Sequence, residues 1–208
     1  SREGEDLLAY CLFCVLRDRQ PGTPVTDYAT YTSVREEYLL SKTIEGAQAE
    51  REVLRYAFIQ YFLYDQLSRL TEVAHRHHVL IKGDLPIGVG RNSVDVWMAP
   101  HLFHLDKEAG APPDFFSANG QDWGFPTYDW EAMAAEGFRW WRHRFAVMER
   151  HLDAIRIDHI LGFFRIWSIP ESSSDQRQAH YVPALGYRPD EVRGVEGLCA
   201  RDEKGLYH

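Results

Sequence analysis

The chain has no apolar run long enough to span a bilayer and no signal-type hydrophobic region. Positive charge is in deficit. The formal net charge of −8 argues against nucleic acid or an anionic membrane surface as partner. Cysteine is scarce as well: three residues, an odd number, give no disulfide framework and point to a reducing, cytoplasmic setting. Cys11 and Cys14 have C-x-x-C spacing, but they sit in an apolar stretch and read as buried core thiols rather than as redox or zinc ligands. There are no internal repeats. What remains, at 208 residues, 45% hydrophobic and 26% charged, is enough to bury a full core in a globular protein.

Residues 5–18 read as a buried helix, stopped by Gln20-Pro21-Gly22-Thr23-Pro24. A more polar, moderately helical stretch covers 25–46. From Ala49 to His78, the residues Leu54, Phe58, Tyr61, Phe62, Leu70, Val73 and Ala74 recur at helical spacings without Gly or Pro, predicting one long amphipathic helix. Val79-Leu80-Ile81 follows as a short buried strand, with Lys82-Gly83-Asp84 at its end. Residues 84–128, rich in Gly and Pro, show no sustained period and read as a long loop. Its aromatics, among them Trp97, Phe103, Trp123, Phe125 and Tyr128, argue against disorder. Asp129 is placed to cap a second helix running to about His151. A strand at 154–158 follows. Strand, long loop, helix and strand in that order make a βαβ pattern and imply parallel strands.

In Asp-Ala-Ile-Arg-Ile-Asp-His (153–159), strand alternation puts Ile155 and Ile157 on one face and Arg156 and Asp158 on the other. A carboxylate beside a guanidinium at the C-terminal end of a parallel strand suits a glycosidase-type nucleophile. On these seven residues alone a structural Arg–Asp pair is the better account. Asp84 and Asp158, each near a strand end, flank the aromatic stretch, and an acid-plus-aromatic surface suits a saccharide. A plain aromatic core beneath a loop is the competing account. His75, His77 and His78 end a helix, where basic groups are favoured. His101 and His104 lack a third ligand nearby, so no metal site is expected.

Six blocks sharpen this reading. They are Lys-Gly-Asp-Leu-Pro-Ile-Gly-Val (82–89), Asn-Ser-Val-Asp-Val-Trp (92–97), Gly-Ala-Pro-Pro-Asp-Phe-Phe-Ser (110–117), Gly-Gln-Asp-Trp-Gly-Phe-Pro-Thr-Tyr (120–128), Arg-Ile-Asp-His-Ile-Leu-Gly-Phe-Phe (156–164) and Arg-Ile-Trp-Ser-Ile-Pro (165–170). In order and spacing they resemble the amylomaltase family, the 4-α-glucanotransferases of the α-amylase clan. The wording of the later blocks is similar to the type-2 disproportionating enzymes, which act on maltose and branched glucans. Residues 1–80 match more loosely, through Leu16-Arg17-Asp18 and Ile59-Gln60-Tyr61.

The resemblance implies an α/β fold. Residues 1–208 would form one partial (β/α)8 TIM barrel, roughly its third and fourth strands, with a long aromatic active-site loop and no second domain. It makes Asp158 the nucleophile, with Arg156 hydrogen-bonded to it and keeping it ionised, and His159 a contact to the sugar beside the scissile bond. Asp84 falls in the first acidic motif. Asp114, Phe115 and Phe116 fall in the flexible loop over the acceptor sugars, and Gln121 and Trp123 match glucan-contacting positions. Phe115 stands where relatives often have Tyr, and Gly90 where close relatives tend to have Asp.

The implied chemistry is retaining transfer of α-1,4-glucosyl units among maltose, maltooligosaccharides and α-glucan, without cofactor or metal. It needs a second carboxyl about 5–5.5 Å from the first. Glu171, Glu191, Glu196 and Glu203 lack the family's Ala-Glu-Asp-Leu-Gly context for that acid. The expectation is therefore an internal piece of a larger enzyme, inactive alone, with the acid/base outside it. The alternative is a non-catalytic α-glucan-binding remnant of the same barrel.

Overall fold

The computed structural model describes residues 2–115, 117–171 and 179–183. Helix α1 (Arg2–Arg19) supplies the centre of the core: residues 11–16 are all buried, including Cys11 and Cys14. Burial, and then the neighbouring Cys14, pushes the Cys11 thiol up to about 11, so this pair is inert packing at neutral pH. Helix α2 (Tyr31–Ser41) is capped by Thr30, whose hydroxyl accepts from Ser33 N–H. The two-residue strands β1 (Thr43–Ile44) and β2 (Ala47–Gln48) form a small hairpin. Arg19 fastens these pieces together. Its guanidinium meets Glu52 in a fork, both contacts at 3.0 Å, and donates to the carbonyls of Ile44 and Gln48.

The long helix forms as predicted, as α3 (Glu50–Arg76). Val53, Tyr56 and Ala57 join the core. The expected buried stripe behaves differently: Leu54, Phe58, Tyr61, Phe62, Leu70 and Val73 are all exposed. Periodicity encoded the apolar face; among the described residues α1 packs on one edge of it, and further along Tyr64 meets the His151 ring at 5.0 Å.

The strand expected at 79–81 lies further on. His78 takes a left-handed turn (φ 57°) and Val79 N–H bonds back to Ala74 carbonyl, so Val79 and Leu80 belong to the exit from α3 and are exposed. Strand β3 is Lys82–Leu85, which puts Asp84 inside it rather than past its end.

The predicted long loop is mostly regular structure. It contains α4 (Val94–Met98), capped by Ser93, and strands β4 (Phe103–Ala111) and β5 (Gln121–Tyr128), which pair antiparallel. Asp129 caps the next helix as expected, accepting Ala132 N–H at 2.8 Å. The helix itself is split into α5 (Trp130–Ala135) and α6 (Arg139–Met148). Gly137 and Phe138 both take positive φ, a left-handed break for which Gly137 is suited.

Strand β6 (Ala154–Ile157) pairs parallel with β3, with Asp84 opposite Arg156 and Leu85 opposite Ile157. This is the parallel pair the sequence implied. Trp141 and Met148 of α6 belong to the same core as Leu85 and Ile155, while Ile157 is exposed. Strands β7 (Ile166–Pro170) and β8 (His180–Val182) complete a four-stranded antiparallel sheet in the order β5-β4-β7-β8. The fold is thus mixed helix and sheet. No described helix is long and apolar enough to cross a membrane.

Candidate active site

Both parallel strands open into the same space at their C-terminal ends. β3 runs into residues 86–90 and β6 into Asp158 and His159, and Asp158 N–H donates to Leu85 carbonyl at 3.1 Å, extending the pairing one step further. Together with Trp123, Gly124 and Phe125 of β5 they line a cleft of about 570 Å³. Small-molecule sites typically enclose about 300–1,000 Å³.

The cleft walls are held from behind. Arg144 of α6 packs its guanidinium against the rings of Trp140 and Trp141 and donates to Pro86 carbonyl at 3.3 Å. It also reaches the Tyr128 hydroxyl at 3.5 Å, a phenol pushed well up by burial and therefore a neutral hydrogen-bonding group. Arg91 donates to the carbonyls of Leu105 and Lys107, stapling the 86–91 segment onto β4. At Gly88 the ring of Phe125 comes so close that an added Cβ would lie 2.1 Å from Phe125 Cδ2.

Asp158 is exposed at the cleft, and the His159 ring meets the Trp123 indole edge-on at 5.0 Å, 80° between planes. Trp123 stacks with Phe125 at 5.8 Å and donates its indole N–H to Gln121 Oε1 at 3.0 Å. Asp158, His159 and Trp123 are therefore brought together, with Gln121 orienting the indole from outside the lining.

Arg156 departs from expectation. Its guanidinium pairs with Asp84, 2.5 Å apart, and not with Asp158. Register explains it: Asp84 and Arg156 are direct partners across the parallel pair, whereas Asp158 lies beyond the strand end. Neither Asp84 nor Arg156 lines the cleft. Asp114 and Phe115 lie in the β4–β5 connection, where Asp114 accepts Ser117 N–H at 2.7 Å and Phe115 is 98% exposed. Phe116 lies outside the described residues.

Sequence reasoning missed the 86–90 wall and Phe125 as cleft-formers. The signal available was Pro-Ile-Gly-Val directly after an acidic strand. Three of the histidines have carboxylate or hydroxyl partners: His75 with Asp153, His101 with Glu136, and His104 with Thr127.

Carboxylate, imidazole and indole gathered where two adjacent parallel strands end define an α/β protein with an enzyme-type cleft at the carboxyl ends of its strands. The relatives make the class specific. The chain belongs to the 4-alpha-glucanotransferase family, whose model matches residues 1–193. It is 41% identical over 198 residues to the 4-alpha-glucanotransferase DPE2 of Oryza sativa, covering 95% of this chain and 21% of that protein. It is 38% identical over 187 residues to the 4-alpha-glucanotransferase of Synechocystis, covering 86% of this chain and 37% of that one. The amylomaltase of Streptococcus agalactiae, solved in complex with acarbose, superposes with a TM-score of 0.74 at 31% identity over 86% of this chain and 37% of its own. The chain thus spans between a fifth and two fifths of the length of these relatives.

Proposed function

We propose that the cleft is part of the active site of a 4-α-glucanotransferase that moves α-1,4-glucosyl or glucan units from maltose or maltooligosaccharides to acceptor glucans with retention of configuration. One observation carries the reading: the Asp158 carboxylate stands at the end of a parallel strand, in a cleft that Trp123 also lines. In this reading Asp158 attacks the anomeric carbon and the leaving oxygen takes a proton from a second carboxyl. A sugar hydroxyl then releases the glycosyl ester. His159 contacts the sugar beside the scissile bond and Trp123 offers a stacking face, oriented by Gln121. Asp114 and Phe115, in the β4–β5 connection, would serve the acceptor side; the same role expected of Phe116 falls outside the described residues. Asp84 and Arg156 act as one neutralised pair one step before the C-terminal ends of the strands.

The same reading treats residues 1–208 as one part of a (β/α)8 barrel, with β3 and β6 as two of its strands, roughly the third and fourth. Further strands would pair along their outer edges, and further helices would cover the apolar stripe of α3. A cytoplasmic enzyme needing no cofactor accords with this chemistry. The test is transfer activity in the full-length protein: Asp158→Asn is expected to abolish disproportionation of maltooligosaccharides and the trapping of a glycosyl ester. Retention of either would overturn the assignment.

A further inference from the structure

The turn after β6 holds a glycine that neither the proposed chemistry nor the backbone calls for. His159 leaves the strand in the left-handed region (φ 50°, ψ 57°), and its carbonyl accepts Gly162 N–H at 2.9 Å at the start of a short 3₁₀ turn over Ile160–Phe163. A non-glycine residue keeps such a conformation only where its surroundings hold it, and such residues gather at functional sites. Phe163 ties the turn to the core through the rings of Trp141 and Trp130, at 5.1 and 6.0 Å. Gly162 is buried and does not have a positive φ, so its backbone would accept alanine. Space is what forbids a side chain there. An added Cβ would lie 2.7 Å from His159 Cδ2, 3.0 Å from Ile87 Cγ1 and 3.1 Å from Ile166 Cδ1. Ile87 and His159 both line the cleft, one from the segment after β3 and the other from the end of β6. Two cleft-lining side chains thus converge on one bare backbone position.

We propose that Gly162 is a positioning residue for His159: the space left by its missing side chain seats the imidazole, so that the ring stands ready beside the Trp123 indole when a maltooligosaccharide enters. The inference rests on the reading of His159 as a sugar contact. Burial decides which neighbour would yield to a methyl group at 162. Ile87 and Ile166 are buried and need only about 0.4–0.5 Å to regain an ordinary carbon–carbon separation, whereas the half-buried imidazole must move by about 0.8 Å. The ring is both the most crowded of the three and the least enclosed. It would therefore leave its seat and its place 5.0 Å from Trp123, and the sugar would lose a contact that is set before binding.

The test is a double-substitution cycle read by calorimetric titration of the full-length protein with maltopentaose, in an Asp158→Asn background so that no transfer occurs. Gly162→Ala and His159→Ala should each raise the dissociation constant several-fold, and Gly162→Ala should add little once His159→Ala has removed the ring. An equal fold-change from Gly162→Ala with and without the imidazole, or no change with it present, would overturn the proposal. Ile166→Val deletes the crowded Cδ1 atom of a residue outside the cleft lining. Added to Gly162→Ala, it should restore part of the lost Tm but not the affinity, and recovered affinity would show that the core rather than the imidazole carries the effect. In the protein with Gly162 intact, labelled at histidine and glycine, a nuclear Overhauser contact is expected between the His159 Cδ2 proton and the Gly162 Cα protons. Its absence would overturn the proposal even if Gly162→Ala did not fold. If His159→Ala instead binds maltopentaose as tightly as its parent, the sugar-contact reading of His159 fails, while the seat itself is judged by that proton contact.

Discussion

Gly88→Ala is a sharp probe of the cleft, because it adds one methyl group at a known distance from one ring. The added Cβ would lie 2.1, 2.3 and 2.5 Å from Cδ2, Cε2 and Cγ of Phe125. Gly88 does not have a positive φ, so alanine meets no backbone strain there and the effect is steric alone. Restoring an ordinary carbon–carbon separation of about 3.5 Å requires the ring to move by about 1.0–1.4 Å. Phe125 cannot do this freely, since Trp123 stacks on it at 5.8 Å. Overpacking of this kind costs about 1–3 kcal/mol, and each kcal/mol lowers Tm by about 2–4 °C in a domain of about 150–250 residues and by less in a longer one. The displaced ring pushes Trp123 toward the cleft, and an error of about 1 Å at a positioned group can cost up to about a hundredfold in rate. Thermal unfolding and maltooligosaccharide transfer by the full-length protein measure the two effects. Phe125→Leu in the same chain should relieve the clash and recover part of the lost Tm. A Gly88→Ala protein with unchanged Tm and unchanged transfer would show that Phe125 does not rest on Gly88.

Three other outcomes are expected. Asp158→Asn should lower transfer by many orders of magnitude, out of an overall acceleration of at least ~10⁶, while leaving Tm nearly unchanged because the side chain is exposed; this is read by comparing activity with thermal unfolding. Trp123→Ala should mainly raise KM, by about 1–3 kcal/mol of lost binding, with a smaller effect on kcat, as steady-state kinetics on maltooligosaccharides would show. Asp153 is held below the ordinary carboxylate range by Ile81 N–H and then by His75, so its contribution to stability is present above the ordinary carboxylate pKa and lost as pH falls through the lowered one. Asp153→Asn should flatten that acid limb, which denaturant midpoints measured against pH would reveal.

The elements legible in the sequence were those whose signal is local. The spacing in α3, the Asp129 cap and the alternating run at β6 each depend on neighbours a few residues away, and each formed. The convergence of Asp158, His159 and Trp123 was reached through motif resemblance, and the cleft brings those three together. The β4–β5 hairpin escaped because its register shifts twice, erasing the period-2 pattern that marks a strand. The partner of Arg156 escaped because sequence adjacency suggested Asp158, whereas strand register put Asp84 opposite it. The break between α5 and α6 needed two consecutive left-handed residues, and only Gly137 announced one of them.

The exposed stripe of α3 governs how this 208-residue chain behaves as a colloid. Phe58, Tyr61, Phe62 and Leu70 form a sticky band, and the net charge of −8 is what keeps two such molecules apart. That repulsion reaches about 30 Å in 0.01 M salt but only about 3 Å in 1 M salt, whereas apolar attraction is not screened. Light scattering from the chain on its own should therefore rise with added salt. Dilution into low-salt buffer should reverse the association, and replacing Phe58 and Phe62 with polar residues should prevent it.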